Sequence, residues 1–473
     1  MQKETSTKKV PFKEKLAYGL GDTGNNFVFQ IGQLYLLKFY TDTLGLPAAT
    51  AGLVFLITKI WDGFVDVSVG AWIDKRKNIG ARGRFRPFML YAAVPLALVT
   101  ALSLTAPDFS LTGKTVWAFF TYMLFGVVYS IFNIPYGSMI PAITQNPVER
   151  SDLASFRWTG SNTGMLLITV GFMPIVIAFD NVKTGYLVAG SVFALAGLLL
   201  QLYSYLHIKE NYVVEKRIKP KERFIDNYKA LFKNTPLLIL CAANLFTFSA
   251  YNVKLAVQVF YCQYTLNDIS ILPYMGFFSI GTVFIGVAVA PFLVRRFGKK
   301  ATYISGAAIW GIADITAFFF AHDVLSFIVF ACIAFFGSSF INTLNWAFVS
   351  DAVEYGEWKT GLRTEGTVYS FFTFFRKMSQ AAAGFLPGVV LAFVGYVPNS
   401  VQSQEAVQGI NALMFLYPGT LALITFMLVG CAYKLSDKKY MEIVMELNKR
   451  KKVAGTSASL NSTFSELREF PQV

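Results

Sequence analysis

Apolar runs of about twenty residues recur along this chain, and a run of that length crosses the hydrocarbon core of a bilayer as a helix. Twelve can be read, beginning near Leu16, Ala48, Phe88, Val116, Leu153, Tyr186, Leu237, Leu272, Thr302, Leu325, Gly366 and Ile410. In lipid the backbone must satisfy its own hydrogen bonds, and a helix does so within each segment. The runs therefore predict an all-α membrane protein with twelve transmembrane helices. Composition agrees, because 15% of the 473 residues are charged where soluble domains carry about 25%.

A charged stretch from Lys209 to Lys233 separates six runs from six. The expected organisation is an N-terminal tail (1–15), a six-helix bundle (16–206), a middle loop (207–233), a second six-helix bundle (234–434) and a C-terminal tail (435–473). In the middle loop, Phe224, Tyr228, Leu231 and Phe232 share one helical face, expected to lie along the membrane or beneath the bundle. The polar N-terminus leads into an apolar run longer than a signal peptide's, so no segment is expected to be removed. Cys241, Cys262, Cys332 and Cys431 show no ligand spacing and are expected to be small core residues.

Lys and Arg collect on alternate loops, which are cytoplasmic by the positive-inside rule. They include Lys75, Arg76, Lys77, Arg82, Arg84, Arg86, Arg150, Arg295, Arg296, Lys299 and Lys300, whereas the opposite loops offer Lys114 and Lys183. Both termini are thus expected in the cytoplasm of a bacterial inner membrane. The net charge of +14 is read as topology, and no nucleic-acid partner is expected. The stretch WIDKRKNIGARGRFRPF is echoed one half later by LVRRFGKKATY. Paired six-helix halves with a binding site near the midplane are the plan of major-facilitator transporters.

Ionisable residues inside spans are costly and mark function. In the second span Asp62 and Asp66 lie one turn apart on one face, with Lys59 close by. Two such carboxylates suit Na+ or a shared proton, and the bland alternative is a Lys59–Asp62 pair that pins helices. The seventh span places Lys254 amid apolar residues, with Gln258 a turn later, which suits an anion unless Lys254 snorkels. The eleventh offers Arg376, Lys377 and Thr373. Asn25, Asn26, Tyr129, Asn133, Arg157, Asn342, Asn345 and Trp346 supply the donors, acceptors and ring faces that a sugar needs, unless the amides merely join helices. Asp22 joins the polar group of the first span, and Asp314 in the ninth finds no partner. The segment SDAVEYGEWKTGLRTEG gathers Asp351, Glu354, Glu357, Arg363 and Glu365, expected to form a cytoplasmic gate against the basic loop after the second span, or else a solvated acidic loop.

The motifs KLAYGLGDTGNNF, FYTDTLGL, KIWDGFVDVSVGAWID, GRFRPF, NIPYGSM and DAVEYGEWKTGLRTEG, in this order between Lys15 and Lys452, resemble the glycoside–pentoside–hexuronide:cation symporters. That resemblance implies a major-facilitator fold and sugar transport coupled to Na+ or H+, with Asp62 and Asp66 serving the cation and Ser130 assisting as a hydroxyl. Tyr129 and Arg157 match sugar-site positions. Asn26 and Asn133 stand where melibiose-type members carry carboxylates, and Gly137 stands where they carry tryptophan. Loss of two negative charges makes such a pocket receptive to an anion. The stretches NVKLAVQVFY, KNIGARGRFRPF and NTLNWAF resemble most closely the sulfoquinovose importers assigned to this family.

The expectation is a cation-coupled symporter of an anionic sugar, sulfoquinovose or one of its glycosides, working by alternating access. A hexuronide carrier is the alternative, and a lipid-handling or receptor-like protein of the same fold is the rival from another class. No enzyme activity, cofactor or resident metal is expected beyond a coupling Na+ or H+. The expected partners are the sugar, the cation and the bilayer, and the expected state is a monomer.

Overall fold

The computed structural model describes residues 9–75, 83–144, 146–212, 231–361, 365–447 and 449–450. Twelve long helical segments run through them. In the first half they are α1 (Phe12–Leu34), α2 (Ala48–Lys75), α3 (Arg86–Ser103), α4 (Leu111–Gly137), α5 (Pro147–Ile177) and α6 (Val182–His207). In the second they are α7 (Thr235–Phe260), α8 (Leu272–Phe297), α9 (Lys299–Phe320), α10 (Val324–Thr360), α11 (Glu365–Phe393) and α12 (Gln404–Ala432). Ten of them are long and apolar enough to cross a membrane on length and composition. The other two, α1 and α11, are as long but interrupt their apolar faces with Asp22, Asn25, Asn26 and Gln30, and with Arg376, Lys377 and Gln380. Phe64, Val67, Tyr91, Leu98 and Leu325 are exposed, an outward apolar surface that water would disfavour and lipid tails accommodate.

The first six helices pack on one another, α1 against α5 and α6 and α4 against α2 and α3. The last six do likewise, α7 against α11 and α12 and α9 against α10 and α12. Small residues permit this closeness. A Cβ at Gly197 on α6 would stand 2.8 Å from the Gly24 carbonyl oxygen of α1, and one at Gly337 on α10 would stand 2.7 Å from the Gly306 oxygen of α9. Without a hydrophobic drive between helices in lipid, such close backbone approach supplies the attraction.

The repeated basic motif is explained by a repeated cap. After α6, the Glu210 carboxylate accepts from the backbone N–H groups of Arg84, Phe85 and Arg86 at 2.7–2.8 Å, at the start of α3. After α12, Asp437 accepts from the Lys299 N–H at 2.9 Å, at the start of α9. Each acid sits on the positive end of a helix dipole and on donors that lack helical partners. The glycines of the two motifs, Gly83 and Gly298, adopt φ of +82° and +86°, a region that only glycine enters cheaply.

The halves meet along α2 with α11 and α5 with α8. Near the end that carries Asp42, Gly52 and Gly388 bring α2 and α11 backbones together, a Cβ at Gly388 standing 2.5 Å from the Ala48 oxygen. Toward the opposite, basic end, Gly70 on the Asp62–Asp66 face of α2 has nothing within 4 Å. The space between the halves is closed at the Asp42 end and opens toward the basic end.

Some sequence expectations do not hold. Cys241 and Cys262 are buried and Cys332 is half-buried, but Cys431 is exposed, because α12 turns that face outward. In the middle loop, Leu231 is buried while its neighbour Phe232 is exposed, since adjacent residues on a helix point about 100° apart. Phe224 and Tyr228 lie outside the described residues, as do the basic loop 76–82, Arg363 and the tail beyond 450.

Candidate binding cavity and cation site

Between the halves lies a cavity of about 920 Å3, lined by α1, α2, α4 and α5 from one side and α7, α8, α10 and α11 from the other. It gathers Asn25, Asn26, Asp62, Asp66, Tyr129, Ser130, Asn133, Arg157, Asn342, Trp346, Thr373 and Lys377. The polar faces that break the apolar pattern of α1 and α11 point here, which is why those two helices read as the least hydrophobic spans.

On the α2 wall, the Lys59 ammonium stands 3.2 Å from one Asp62 oxygen. The other, Oδ1, is buried and makes no hydrogen bond. It has room because α4 presents Gly126 to it, and a Cβ there would collide with that oxygen. One turn on, the Ser130 hydroxyl donates to Asp66 Oδ1 at 2.5 Å. Asp66 Oδ2 is ion-paired to Lys377 of α11, so this pair crosses from one half to the other. An orphan carboxylate oxygen, a second carboxylate and a hydroxyl form an oxygen-rich corner of the kind that hard monovalent cations and protons use.

The opposite side of the N-terminal half is an amide and phenol network. Asn25 Nδ2 donates to Asn133 Oδ1 at 2.9 Å and to the Tyr129 hydroxyl at 3.3 Å. Asn26 Nδ2 donates to the Asp22 carbonyl at 3.0 Å. Asp22 in turn holds Arg157 Nε at 3.2 Å, and the guanidinium lies 5.3 Å over the Tyr136 ring. The space beside Gly137 is taken by Arg157, whose Nη1 would stand 3.2 Å from a Cβ there. From the C-terminal half, Trp346 stacks on Tyr369 with centroids 4.8 Å apart, and on the N-terminal side Phe29 stacks on Tyr129 at 5.4 Å. Flat apolar faces beside amides and phenols match the two surfaces of a pyranose.

Two expected ligands do not reach the cavity. Lys254 is 2% exposed and ion-paired to Asp314 of α9. Trp310 Nε1 donates to the same carboxylate at 2.8 Å, and the Phe335 and Phe415 rings lie 5.8 and 5.4 Å from the ammonium. The expectation of an anion-facing Lys254 is therefore corrected. Phe248, Tyr251, Asn252 and Leu255 form the cavity face of α7, and at 100° per residue Lys254 lies about 110° around from its centre. Gln258 is buried a turn further on, also off the cavity.

Sequence reasoning missed the roles of Asp22 and Asp314 as counter-ions and left Arg376 undecided. Asp22 had a signal, its i,i+4 spacing to Asn26. Asp314 had none, since its partner lies 60 residues away. Asn244, Gln380 and Tyr251 line the cavity without having been singled out for it as ligands.

The acidic end of α10 pairs within its own half, Asp351 with Lys299. Asp351 is thus held by Lys299 at the start of α9, and the basic loop 76–82, against which a gate is expected from the sequence, lies outside the described residues. Glu354 and Glu357 lie on the same stretch, and the side chain of Glu365 is outside the described residues.

A different cluster joins the halves at the other end. The Asp42 carboxylate receives Lys38 Nζ and the Tyr264 hydroxyl at 2.5 Å each, and the Tyr396 hydroxyl at 2.6 Å. Asn399 Nδ2 donates to the Asp42 carbonyl at 2.6 Å. Lys38 and Asp42 follow α1, Tyr264 follows α7, and Tyr396 and Asn399 follow α11, so three loops meet on one anion. Burial first, and the Asp42 carboxylate next, hold the Tyr396 phenol well above its ordinary pKa, which keeps it a donor.

Comparison with known proteins agrees with this architecture. A family model described as MFS/sugar transport protein matches residues 17–437. An Escherichia coli K12 protein provisionally named a 2,3-dihydroxypropane-1-sulfonate exporter is 50% identical over 95% of this chain and 98% of its own. Another from the same organism, provisionally named a sulfoquinovose importer, is 48% identical over 94% and 95%. Among solved structures, a bacterial homologue of the human lysosomal transporter Spinster aligns with a TM-score of 0.67 at 12% identity, covering 90% of this chain and 97% of that one; it shows the fold alone. The chain belongs to the sugar transporters of the major facilitator superfamily, multi-pass membrane carriers and not enzymes.

Proposed function

We propose that this carrier couples Na+ or H+ to the movement of an anionic sugar, sulfoquinovose or a sulfoquinovosyl glycoside, by alternating access. In this reading the basic end and both termini face the cytoplasm of a bacterial inner membrane, the Asp42 end faces outward, and one chain suffices because the whole cavity is built from it.

The observation that carries the reading is the ion pair between Asp66 and Lys377. A cation settling on Asp62, Asp66 and Ser130 competes with Lys377 for Asp66. The displaced ammonium then faces the cavity without a counter-ion, and an anionic ligand is the group that replaces one. Cation and anion thereby raise each other's affinity, the reciprocal linkage a symporter needs. The empty carrier restores the pair and carries no stranded charge as it reorients. Asn25, Asn26, Tyr129 and Asn133 supply matched donors and acceptors for hydroxyls, and amides in place of carboxylates leave an anion unrepelled.

The two close relatives are named for opposite directions of movement, yet both for sulfonates. Sulfonate chemistry is the shared part, and direction follows the summed gradients. The test is accumulation of labelled sulfoquinovose by oriented vesicles under an imposed Na+ gradient, an imposed pH gradient, or neither. Accumulation driven by one gradient and lost in Asp66→Asn is expected. Equal uptake under all three conditions would remove the coupling assignment.

A further inference from the structure

Among the described residues, Arg376 of α11 is the one cavity cation with no carboxylate partner. Asp22 engages Arg157, Asp62 engages Lys59 and Asp66 engages Lys377. Among the described residues Arg376 makes no hydrogen bond or ion pair. Its guanidinium carbon lies 4.4 Å from the centre of the Phe248 ring and 5.8 Å from that of Trp346. Contact with a ring face steadies the charged group while its N–H donors stay available to a ligand.

Two further observations point to what those donors meet. Asn244 lies one turn before Phe248 on α7 and lines the same cavity. It is 1% exposed, and its Nδ2 is buried with no hydrogen-bond partner, a state that costs about 1–3 kcal/mol unless something satisfies it. The α11 wall lies against it, Ser379 Oγ standing 3.5 Å from the Asn244 carbonyl. Arg157, from the other half, lines the same cavity. Guanidinium groups of both halves thus line one space, Arg157 already holding Asp22 and Arg376 left to attract an anion.

We infer that Arg376, with Asn244 beside it, is the seat of the substrate's anionic head, a sulfonate or carboxylate, and that it sets the preference for anionic over neutral sugars. This rests on the anionic-sugar reading above and assigns it to a site in the C-terminal half, opposite the amides that take the hydroxyls. The planar fork presents two parallel N–H groups to two oxygens of the head, and a sulfonate leaves its third oxygen, with more than one lone pair, to Asn244 and to the ammonium released on the next residue, Lys377. Once seated, the anion lies between Arg376 and Arg157, so it also favours approach of the two halves around the loaded site.

The experiment is calorimetric binding to the purified full-length protein at saturating Na+ and again at acidic pH. The probes are sulfoquinovose, methyl glucuronide and methyl glucoside, with Arg376→Gln, Arg376→Lys and Asn244→Asp alongside the unsubstituted chain. Arg376→Gln is expected to weaken sulfoquinovose about tenfold or more, with partial recovery in Arg376→Lys and a smaller change for methyl glucoside. Asn244→Asp places a carboxylate beside Arg376, so it is expected to raise the melting temperature while displacing the anion, and it reports even if Arg376→Gln does not fold. Unchanged sulfoquinovose affinity in folded Arg376→Gln or Asn244→Asp would overturn the seat and leave the anionic reading standing. Binding of methyl glucoside alone by the unsubstituted chain would overturn both. The ratio of sulfoquinovose to glucuronide separates sulfonate from carboxylate as the preferred head.

Discussion

Two lysine–aspartate pairs inside this membrane protein use the same chemistry and differ in where they sit. Lys254–Asp314 is sealed within the C-terminal half, both side chains almost without exposure. Lys377–Asp66 spans the halves beside the cavity, its side chains 37% and 27% exposed. The first cannot break without stranding two charges among Phe335, Phe415 and Trp310. The second can break whenever a cation or an anion arrives to replace a partner. Identical residues therefore make a fixed joint in one place and an exchangeable contact in the other, and access to the cavity decides which.

The largest effect is expected at the sealed pair. Asp314→Asn leaves an uncompensated ammonium and should cost about 3–5 kcal/mol, read as a fall in melting temperature and in folded yield. Replacing both partners, Lys254→Met with Asp314→Leu, should recover most of that stability and retain sugar binding. A double variant that folds but loses the sugar would show that the pair does more than join helices.

At the exchangeable pair the order reverses, with function lost and fold kept. Asp66→Asn should abolish concentrative uptake in vesicles while shifting stability by about 1 kcal/mol or less, since water reaches both partners. Persistent accumulation at low substrate would move the cation elsewhere. Lys377→Gln sharpens the comparison further. It frees Asp66 for the cation, so cation affinity should rise, while its linkage to the anionic sugar, about 1.5–3 kcal/mol for a charge-assisted contact, should vanish in paired titrations. The smallest change is Gly126→Ala. Its added methyl pushes Asp62 out of its niche and should weaken cation binding about tenfold, or about 1.4 kcal/mol, with neutral-sugar binding little altered.

How much of this was legible in the sequence depended on whether a relation was local. Asp62 and Asp66 share a helical face by spacing alone, and the structure places both on the cavity wall. The twelve segments were legible from length and hydropathy, although α1 and α11 were the faintest because they carry the polar lining. Lys254 misled because depth in a span says nothing about azimuth, and α7 turns that residue toward α9. Arg376 and Lys377 are adjacent and both lie deep, so sequence could not divide their tasks; a 100° step sends one to Asp66 and the other over Phe248. The Asp42 cluster was invisible for another reason. Its partners stand up to 357 residues apart, and FYTDTLGL reads as an ordinary loop.

That cluster has a consequence for how the carrier turns over. Asp42 brings its counter-ion Lys38 from the same loop of the same half, so when Tyr264, Tyr396 and Asn399 withdraw the carboxylate is still neutralised. Parting this seal then costs a few hydrogen bonds, each exchangeable for water, at about 0.5–3 kcal/mol apiece. No bare charge is exposed to a low dielectric. A closure of this kind holds against thermal opening without locking, and it costs the same whether the loaded site arrived from outside or from within. If direction is left to the gradients, as proposed above, the carrier needs a door that is equally easy to open for entry and for exit.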